Sequence, residues 1–215
     1  MNRRSLIIAV LAIGVGGFGG ATWYATQSDP ASKPVAPQMA EGMIRPHSPI
    51  LGPAEAPVTI VEFFDPACEA CRAFHPVLTE LRERYPERVR IVMRYAAFHD
   101  GSDTAVRILE AARRQDLFEP VLEALLEGQP AWASHAGARL DVAWAAAARA
   151  GLDVELARDT ISDPEIDAVL EQDAADVVTV GVRQTPTFFV DGRPLLEFGA
   201  EPLIEMVCVQ VEAAS

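Results

Sequence analysis

Residues 58–74, VTIVEFFDPACEACRAF, contain the features that decide the fold. The first seven residues are almost all β-branched or aromatic, which predicts a buried central strand over Val58–Phe64. Residues 65–67 interrupt that pattern, and the apolar positions after them recur at helical spacing. Two cysteines, Cys68 and Cys71, lie at this junction. The sequence therefore places two thiols where a strand passes into the N-terminal end of a helix.

This position favours thiol chemistry. The free amides and the dipole of a helix N-terminus stabilise an anion, so the Cys68 thiolate is favoured as a nucleophile and as a leaving group. The three-residue spacing lets the sulfurs of Cys68 and Cys71 close into a small disulfide ring. Three cysteines in 215 residues are too few for a structural disulfide framework. The close pair therefore indicates a redox site or a metal site.

His75 keeps a metal site open as an alternative. It stands four residues after Cys71, so Cys68, Cys71 and His75 could lie along one helix face. No second cysteine pair and no histidine cluster is present in the sequence to complete a tetrahedral shell. We therefore expect no metal and no cofactor, with a metal chaperone as the alternative from a different functional class.

Two blocks of sequence resemble the DsbA-type thiol-disulfide oxidoreductases of the thioredoxin superfamily. They are residues 48–74 and residues 181–192, GVRQTPTFFVDG. The resemblance implies an α/β fold, a thioredoxin fold with an inserted helical subdomain. It also implies that Cys68 is the exposed attacking cysteine and Cys71 the buried resolving one.

The second block carries the segment that would face the cysteines. The resemblance implies that Thr185 and Pro186 form a cis-proline loop opposite the disulfide, where an extended substrate can pair with the Thr185 backbone like an added strand. A trans-proline at the start of a strand is the alternative. The residues themselves predict a strand over 187–190, a turn at 191–192 and a returning strand over 194–198.

Two acidic residues, Glu62 and Glu69, lie close to the cysteine pair in the sequence. Glu62 lies inside the apolar strand, where the family also carries an acidic residue, and a buried carboxylate there can take the proton of the resolving thiol. A solvent-facing glutamate on an edge strand is the alternative. Glu69 places a like charge next to Cys68, which opposes the helix terminus by about one pKa unit. We therefore expect a weaker oxidant than the strongest DsbA enzymes.

The stretch between the blocks predicts the inserted helices. After a strand over 88–95, residues 102 to about 178 are rich in alanine, leucine, arginine and glutamate at helical spacing. We assign no chemistry to His99. Cys208 falls in a last helix over residues 201 to about 213, where we expect a buried free thiol, with a regulatory or intermolecular thiol as the alternative.

The N-terminal residues predict export. In residues 1–27, Arg3 and Arg4 precede an uncharged apolar run, which is typical of a signal peptide or a signal anchor that leaves the remaining chain outside the cytoplasm. The length of the run favours an uncleaved anchor. Residues 28–57 contain seven of the sixteen prolines, which predicts a tether without regular elements. The folded domain is then expected over residues 58–215.

The net charge of the chain and its predicted domain organisation limit the classes of function that fit the sequence. Beyond residue 27 the chain has 16 basic and 31 acidic residues, a net charge of −15, so no nucleic acid is expected as a partner. Isomerases of this broad type dimerise through an extra N-terminal domain, which the predicted tether is too short to supply. We expect a periplasmic, monomeric oxidase of cysteine-containing client proteins that is reset by a membrane redox partner. An isomerase or reductase of the same fold is the alternative.

Overall fold

The structure, a computed structural model, describes residues 43–134 and 136–214. The expected signal or anchor segment, residues 1–27, and the first part of the expected tether lie outside the described residues. Across the described ranges, no helix combines the length and apolar character needed to cross a membrane.

The described residues form short and long strands interleaved with helices. In chain order they are β1 (Ile50–Leu51), β2 (Val58–Phe64), α1 (Glu69–Arg84), β3 (Val89–Tyr95), α2 (Ser102–Arg113), α3 (Phe118–Trp132), β4 (Ala133–Ser134), β5 (Gly137–Ala138), α4 (Leu140–Arg149), α5 (Val154–Thr160), α6 (Pro164–Val180), β6 (Thr187–Val190), β7 (Arg193–Pro194) and α7 (Ala200–Ala213). Helices α2–α6 occupy the position of the predicted insertion, between β3 and β6.

The five-stranded sheet has the order β1-β3-β2-β6-β7, with β2 at its centre. Strand β2 runs parallel to β3, with Phe64 opposite Tyr95, and antiparallel to β6, with Phe63 opposite Thr187. The ends of β2 and β3 and the start of β6 therefore meet at one edge of the sheet. The three loops that leave this edge lie close together because of that register.

Both faces of the sheet are covered, because side chains alternate along β2. Ile60 and Phe64 belong to the main core, which is shared with α1, α7 and most of the inserted helices. Val61 and Phe63 belong to a smaller cluster on the opposite face, which includes Val177 of α6. Each fully buried side chain of this kind contributes about 1.5–3 kcal/mol of hydrophobic stabilisation. This double coverage explains the nearly continuous apolar character of the strand.

The structure differs from the sequence interpretation in residues 43–57, which the proline content placed in the tether. Ile50 and Leu51 form β1, an antiparallel edge strand on β3. Met43 is buried, and Arg45 binds Asp176 of α6 through two hydrogen bonds of 2.8 and 2.7 Å. The prolines prevent a long element, but a strand of two residues between them is compatible with their geometry. Residues 43–57 therefore form part of the folded unit.

Candidate active site

Cys68 and Cys71 lie where the end of β2 turns into α1. Cys68 is the N-cap residue of α1, and its amide donates to the Asp65 carbonyl at 3.0 Å. Both cysteines are buried free thiols in this structure, so Cys68 is not the exposed thiol that the resemblance implied. The Cys68 sulfur therefore lies at a helix N-terminus, where free amides and the helix dipole favour an anion.

The Cys68 thiol is held as a thiolate at neutral pH. A hydrogen bond from the Cys71 thiol lowers the pKa of Cys68 to about 5; burial opposes this shift, and the backbone amides of Ala70 and Cys71 add to it. In its protonated form the Cys68 thiol donates to the carbonyl oxygen of Thr185 at 3.1 Å, a contact that the thiolate gives up. A thiolate at this position is both an available nucleophile and a good leaving group.

The pKa of Cys71 is shifted in the opposite direction to that of Cys68. Burial raises its pKa far above the usual range for a thiol, and its hydrogen bond to Cys68 and the nearby Glu62 carboxyl act in the same direction. Its sulfur accepts a long hydrogen bond of 3.5 Å from the Asp65 amide. Cys71 therefore remains a protonated thiol while Cys68 carries the charge, which makes the two sulfurs chemically distinct.

Glu62 lies on the central strand with only 2% of its surface exposed, which excludes the solvent-facing alternative. By strand alternation it shares a face with Ile60 and Phe64, on the side of α1. Burial, followed by the charge of Cys68, raises the pKa of Glu62 to about 8. Its Oε1 atom has no hydrogen-bond partner among the described residues. Glu62 is therefore a carboxyl with a raised pKa and one oxygen without a partner, close to the cysteine pair.

The Thr185–Pro186 segment reaches Cys68 because of the strand register. Thr187 pairs with Phe63, so the residues just before β6 lie opposite the residues just after β2. The peptide bond between Thr185 and Pro186 is cis. The adjacent turn has positive φ at Asp191 and Gly192, as the sequence predicted for a hairpin turn.

His75 does not join the cysteines in a metal site. Among the described residues no group of three or more His, Cys, Asp and Glu side chains is arranged to hold a metal ion. Burial lowers the pKa of His75, and the charges acting on it come from Glu119, Glu123 and Arg82. The metal-chaperone alternative needed Cys68 and Cys71 as fellow ligands, and the described residues do not bring these three side chains together in such a group.

Asp65 and His99 belong to the site, although the sequence analysis assigned them no role. Asp65 is completely buried, and His99 follows β3 by four residues. The Asp65 Oδ2 atom accepts hydrogen bonds from the amides of Phe98 and His99 and lies 2.7 Å from His99 Nδ1. Only the parallel pairing of β2 and β3, whose ends meet at one sheet edge, indicates that these two loops lie close together.

A cleft of about 370 Å³ opens beside Cys68. Its lining residues come from the loop before α1, the first turn of α1, the loop after β3 and the β4–β5 hairpin: Ala67, Cys68, Glu69, Ala70, His99, Asp100, Ala133, Ser134 and Gly137. Glu69 is exposed on this cleft. The hairpin belongs to the insertion, so the inserted helices help to shape the entrance to the reactive cysteine.

Gln129 of α3 connects the insertion to the cysteine loop. Its side-chain Nε2 donates to the carbonyl oxygens of Pro66 and Cys68 at 2.8 and 2.9 Å, and its Oε1 accepts from Arg72 at 2.9 Å. The residue is buried, with 1% of its surface exposed. Since unpaired buried carbonyls are costly, this amide stabilises the loop before α1.

Comparison with known proteins agrees with this geometry. Residues 45–200 match the thioredoxin family. The chain belongs to the thioredoxin superfamily. A thioredoxin-like oxidoreductase from Silicibacter pomeroyi DSS-3 is similar over 80% of this chain and 95% of its own, with 30% identity and a TM-score of 0.68. Alpha-DsbA1 from Wolbachia pipientis shares the fold over 82% of this chain and 97% of its own, with 16% identity and a TM-score of 0.72.

The α/β thioredoxin fold with inserted helices is thereby confirmed. Among curated proteins, the Na(+)/H(+) antiporter NhaA of Herminiimonas arsenicoxydans is 34% identical over 146 residues, which is 68% of this chain and 22% of the antiporter. The chain thus spans about a fifth of the length of the curated relatives it matches, so the likeness is to one segment of them.

Proposed function

We propose that this protein oxidises cysteine-containing client proteins by exchanging a Cys68–Cys71 disulfide with their thiols. The observation that carries the proposal is the asymmetry of the pair: Cys68 is a stabilised thiolate and Cys71 a buried thiol. Such a pair has one sulfur suited to intermolecular exchange and one suited to resolving it.

The exchange begins from the oxidised pair. A client thiolate attacks the Cys68 sulfur, the Cys68–Cys71 bond breaks, and its electron pair goes to Cys71, leaving a mixed disulfide between the client and Cys68. A second client thiolate then attacks the client sulfur of that bond, and Cys68 leaves as a thiolate. The client gains a disulfide, and the enzyme gains two electrons as a dithiol.

Glu62 is the proposed proton source for Cys71. With a pKa of about 8, it is mostly protonated at neutral pH and can supply a proton to the Cys71 thiolate as that sulfur is released. In the reverse direction the Glu62 carboxylate takes the proton of Cys71. A buried thiolate without a proton source would be strongly disfavoured, since burial penalises its charge.

The direction of exchange is proposed to be oxidation. Stabilising the Cys68 thiolate stabilises the reduced enzyme, which makes the disulfide form more oxidising. A reduction potential between about −120 and about −270 mV is expected, and a potential near or below the lower value would favour a reductase instead. An oxidase must be reoxidised after each turnover, so we propose a membrane redox partner that removes the two electrons.

We also propose an extracytoplasmic location and a monomeric state. The basic and apolar character of residues 1–27 supports export, with the domain anchored to the membrane or released by cleavage. Cell fractionation together with N-terminal sequencing of the mature protein tests this location, and sedimentation equilibrium tests the monomeric state.

Trapping of mixed disulfides tests the function. In Cys71→Ser the Cys68 thiolate attacks a client disulfide, one client sulfur leaves as a thiolate, and no Cys71 thiol is present to resolve the mixed disulfide. We therefore expect disulfide-linked clients to accumulate, visible as bands that disappear on reduction. Cys68→Ser should trap almost none. Cys208→Ser is the matched control and should behave like the parent. It removes the third thiol, which lies on α7 beside the Tyr85 hydroxyl at 3.4 Å and is half-buried, not buried as the sequence predicted. Equal trapping by the Cys71 and Cys68 variants, or by neither, contradicts the assigned roles.

A further inference from the structure

Asp65 holds the His99 ring in one orientation. The Asp65 Oδ1 atom accepts from the Ala67 amide at 2.8 Å and from the Ser102 hydroxyl, and its Oδ2 atom accepts from the amides of Phe98 and His99. Backbone amides can only donate, so the acceptor-only carboxylate matches this set. The His99 Nδ1 atom, 2.7 Å from Oδ2, is therefore the donor of that contact.

The second ring nitrogen remains available at the cleft. With Nδ1 bound to Asp65, His99 Nε2 has no hydrogen-bond partner among the described residues, and half of the side chain is exposed. The ring lines the same cleft as Cys68. A histidine oriented by a buried carboxylate and open on its other nitrogen is suited to carry a positive charge.

We propose that His99, oriented by Asp65, supplies the positive charge that stabilises the Cys68 thiolate when this sulfur is released from a mixed disulfide. The inference rests on the proposed function and adds a residue to its site. In the release step the S–S bond breaks and its electron pair goes to Cys68. The His99 imidazolium keeps its proton and compensates the new charge, while Asp65 acts as the positioning residue.

The charges around His99 favour its protonated form. Burial lowers the pKa of His99, but the hydrogen bond and charge of Asp65, with the charges of Cys68 and Glu69, outweigh burial and raise it above the usual value. Asp100 also lines the cleft from the loop after β3, and the described residues of the β4–β5 hairpin in this cleft are not titratable. His99 is therefore charged over the acidic range in which Cys68 titrates.

Alkylation of the reduced protein measures the effect on Cys68. Rates with iodoacetamide from pH 3.5 to 8 are compared in a Cys208→Ser background, in which Cys71 stays protonated and unreactive. His99→Asn keeps an amide donor for Asp65 and removes the charge. We expect the midpoint of its profile to rise by about half a pH unit, with a rate at pH 4.5 about threefold lower. His99→Lys, which restores a cation, should recover part of the loss.

His75→Asn is the matched control, because His75 lies on α1 and is acted on by charges of α3 and Arg82 and not by Cys68. Its profile should superimpose on that of the parent. An unchanged midpoint in a folded His99→Asn protein overturns the proposal, as does an equal shift in His75→Asn.

Nuclear magnetic resonance of the unsubstituted protein provides a second test that does not depend on the folding of a variant. If His99 stabilises the Cys68 thiolate, the thiolate stabilises the imidazolium by the same amount, because linkage is reciprocal. The pKa of His99 should therefore fall when the pair is oxidised to the disulfide. Equal values in both redox forms overturn the proposal. Neither readout needs a client, so failure of the proposed function would appear separately, as absent trapping by Cys71→Ser.

Discussion

Glu62 and Asp173 are buried to the same degree, with 2% and 1% of their surfaces exposed, yet their surroundings are opposite. Glu62 has a carboxyl oxygen without a partner and a pKa raised to about 8. Asp173 accepts hydrogen bonds from the Arg94 guanidinium at 2.6 Å and from the Tyr95 amide at 2.7 Å, and it lies 2.7 Å from His47 Nε2.

Asp176, beside Asp173 on α6, shows the effect of such partners on protonation. Burial alone would raise the pKa of Asp176, but hydrogen bonds from Arg45 and Arg94 outweigh it and lower the pKa to about 2. Burial therefore does not decide whether a carboxyl is charged; the hydrogen-bond partners do. The paired carboxylates contribute to holding residues 43–57 and α6 on the sheet, while the unpaired Glu62 remains available for proton transfer.

Arg94→Met would turn the paired site into an unpaired one and should give the largest effect. The Arg94 side chain is completely buried and binds both Asp173 and Asp176. Removing one partner of a buried ion pair leaves an uncompensated charge, so we expect the free energy of unfolding to fall by about 3–5 kcal/mol, measured by urea denaturation at pH 7.

Arg107→Met is the control for this measurement. Arg107 binds Asp103 and Asp167, whose side chains are exposed, so the cost should be about 0–1 kcal/mol. If the free energy of unfolding falls no more in Arg94→Met than in Arg107→Met, the buried ion pairs of Arg94 do not stabilise the fold.

Glu62→Gln should produce an effect of comparable size that appears as a dependence on pH. The usual pKa of 4.5 applies to Glu62 in the unfolded chain and about 8 in the folded one. Between these values the folded protein binds one more proton, so its free energy of unfolding decreases with rising pH by about 1.4 kcal/mol per pH unit. The glutamine variant lacks this pH dependence, because its side chain does not titrate. Its stability relative to the reduced parent should rise from pH 5 to pH 8 and then level off.

Denaturation of the reduced proteins at several pH values provides the measurement, with Glu80→Gln as the control on the exposed side of α1. The Glu80 variant should differ from the parent by a constant amount. A constant difference for Glu62→Gln as well would contradict a raised pKa for Glu62.

Glu69→His extends the comparison to an exposed carboxylate and should have the smallest effect. Glu69 lies in the cleft beside Cys68, and exchanging its negative charge for a histidine should stabilise the thiolate. Solvent and salt screen an exposed charge, so we expect a potential more oxidising by about 30 mV or less in a glutathione redox titration. An unchanged or more reducing potential would show that the Glu69 charge does not make the protein a weaker oxidant.

The elements that could be predicted are those with long or chemically distinctive patterns. Strand β2, the helix after Cys68 and the inserted helices have apolar positions at clear periods. The short strands could not be predicted, because β1, β4 and β5 have two residues each. The returning strand expected over 194–198 is limited to Arg193–Pro194, on the sheet edge where a proline is tolerated.

The site could be predicted only in part. Cys68, Cys71, Thr185 and Glu62 lie within recognisable sequence blocks, and the structure brings all four together. The contact of Asp65 with His99 depends on two loops 34 residues apart. Neither loop has a pattern of its own, so the contact follows only from the pairing of β2 with β3.

The bridge made by Gln129 has a consequence for chimeric proteins. One amide from α3 donates to two carbonyls of the loop that carries Cys68, of which the Cys68 carbonyl also accepts from the Arg72 amide, so the inserted helices and the cysteine loop are not independent modules. A helical insertion transplanted from a relative would preserve the loop only if it supplied a side-chain amide at the same place. Exchange of insertions between members of this superfamily is therefore constrained by a single polar contact as well as by the apolar fit.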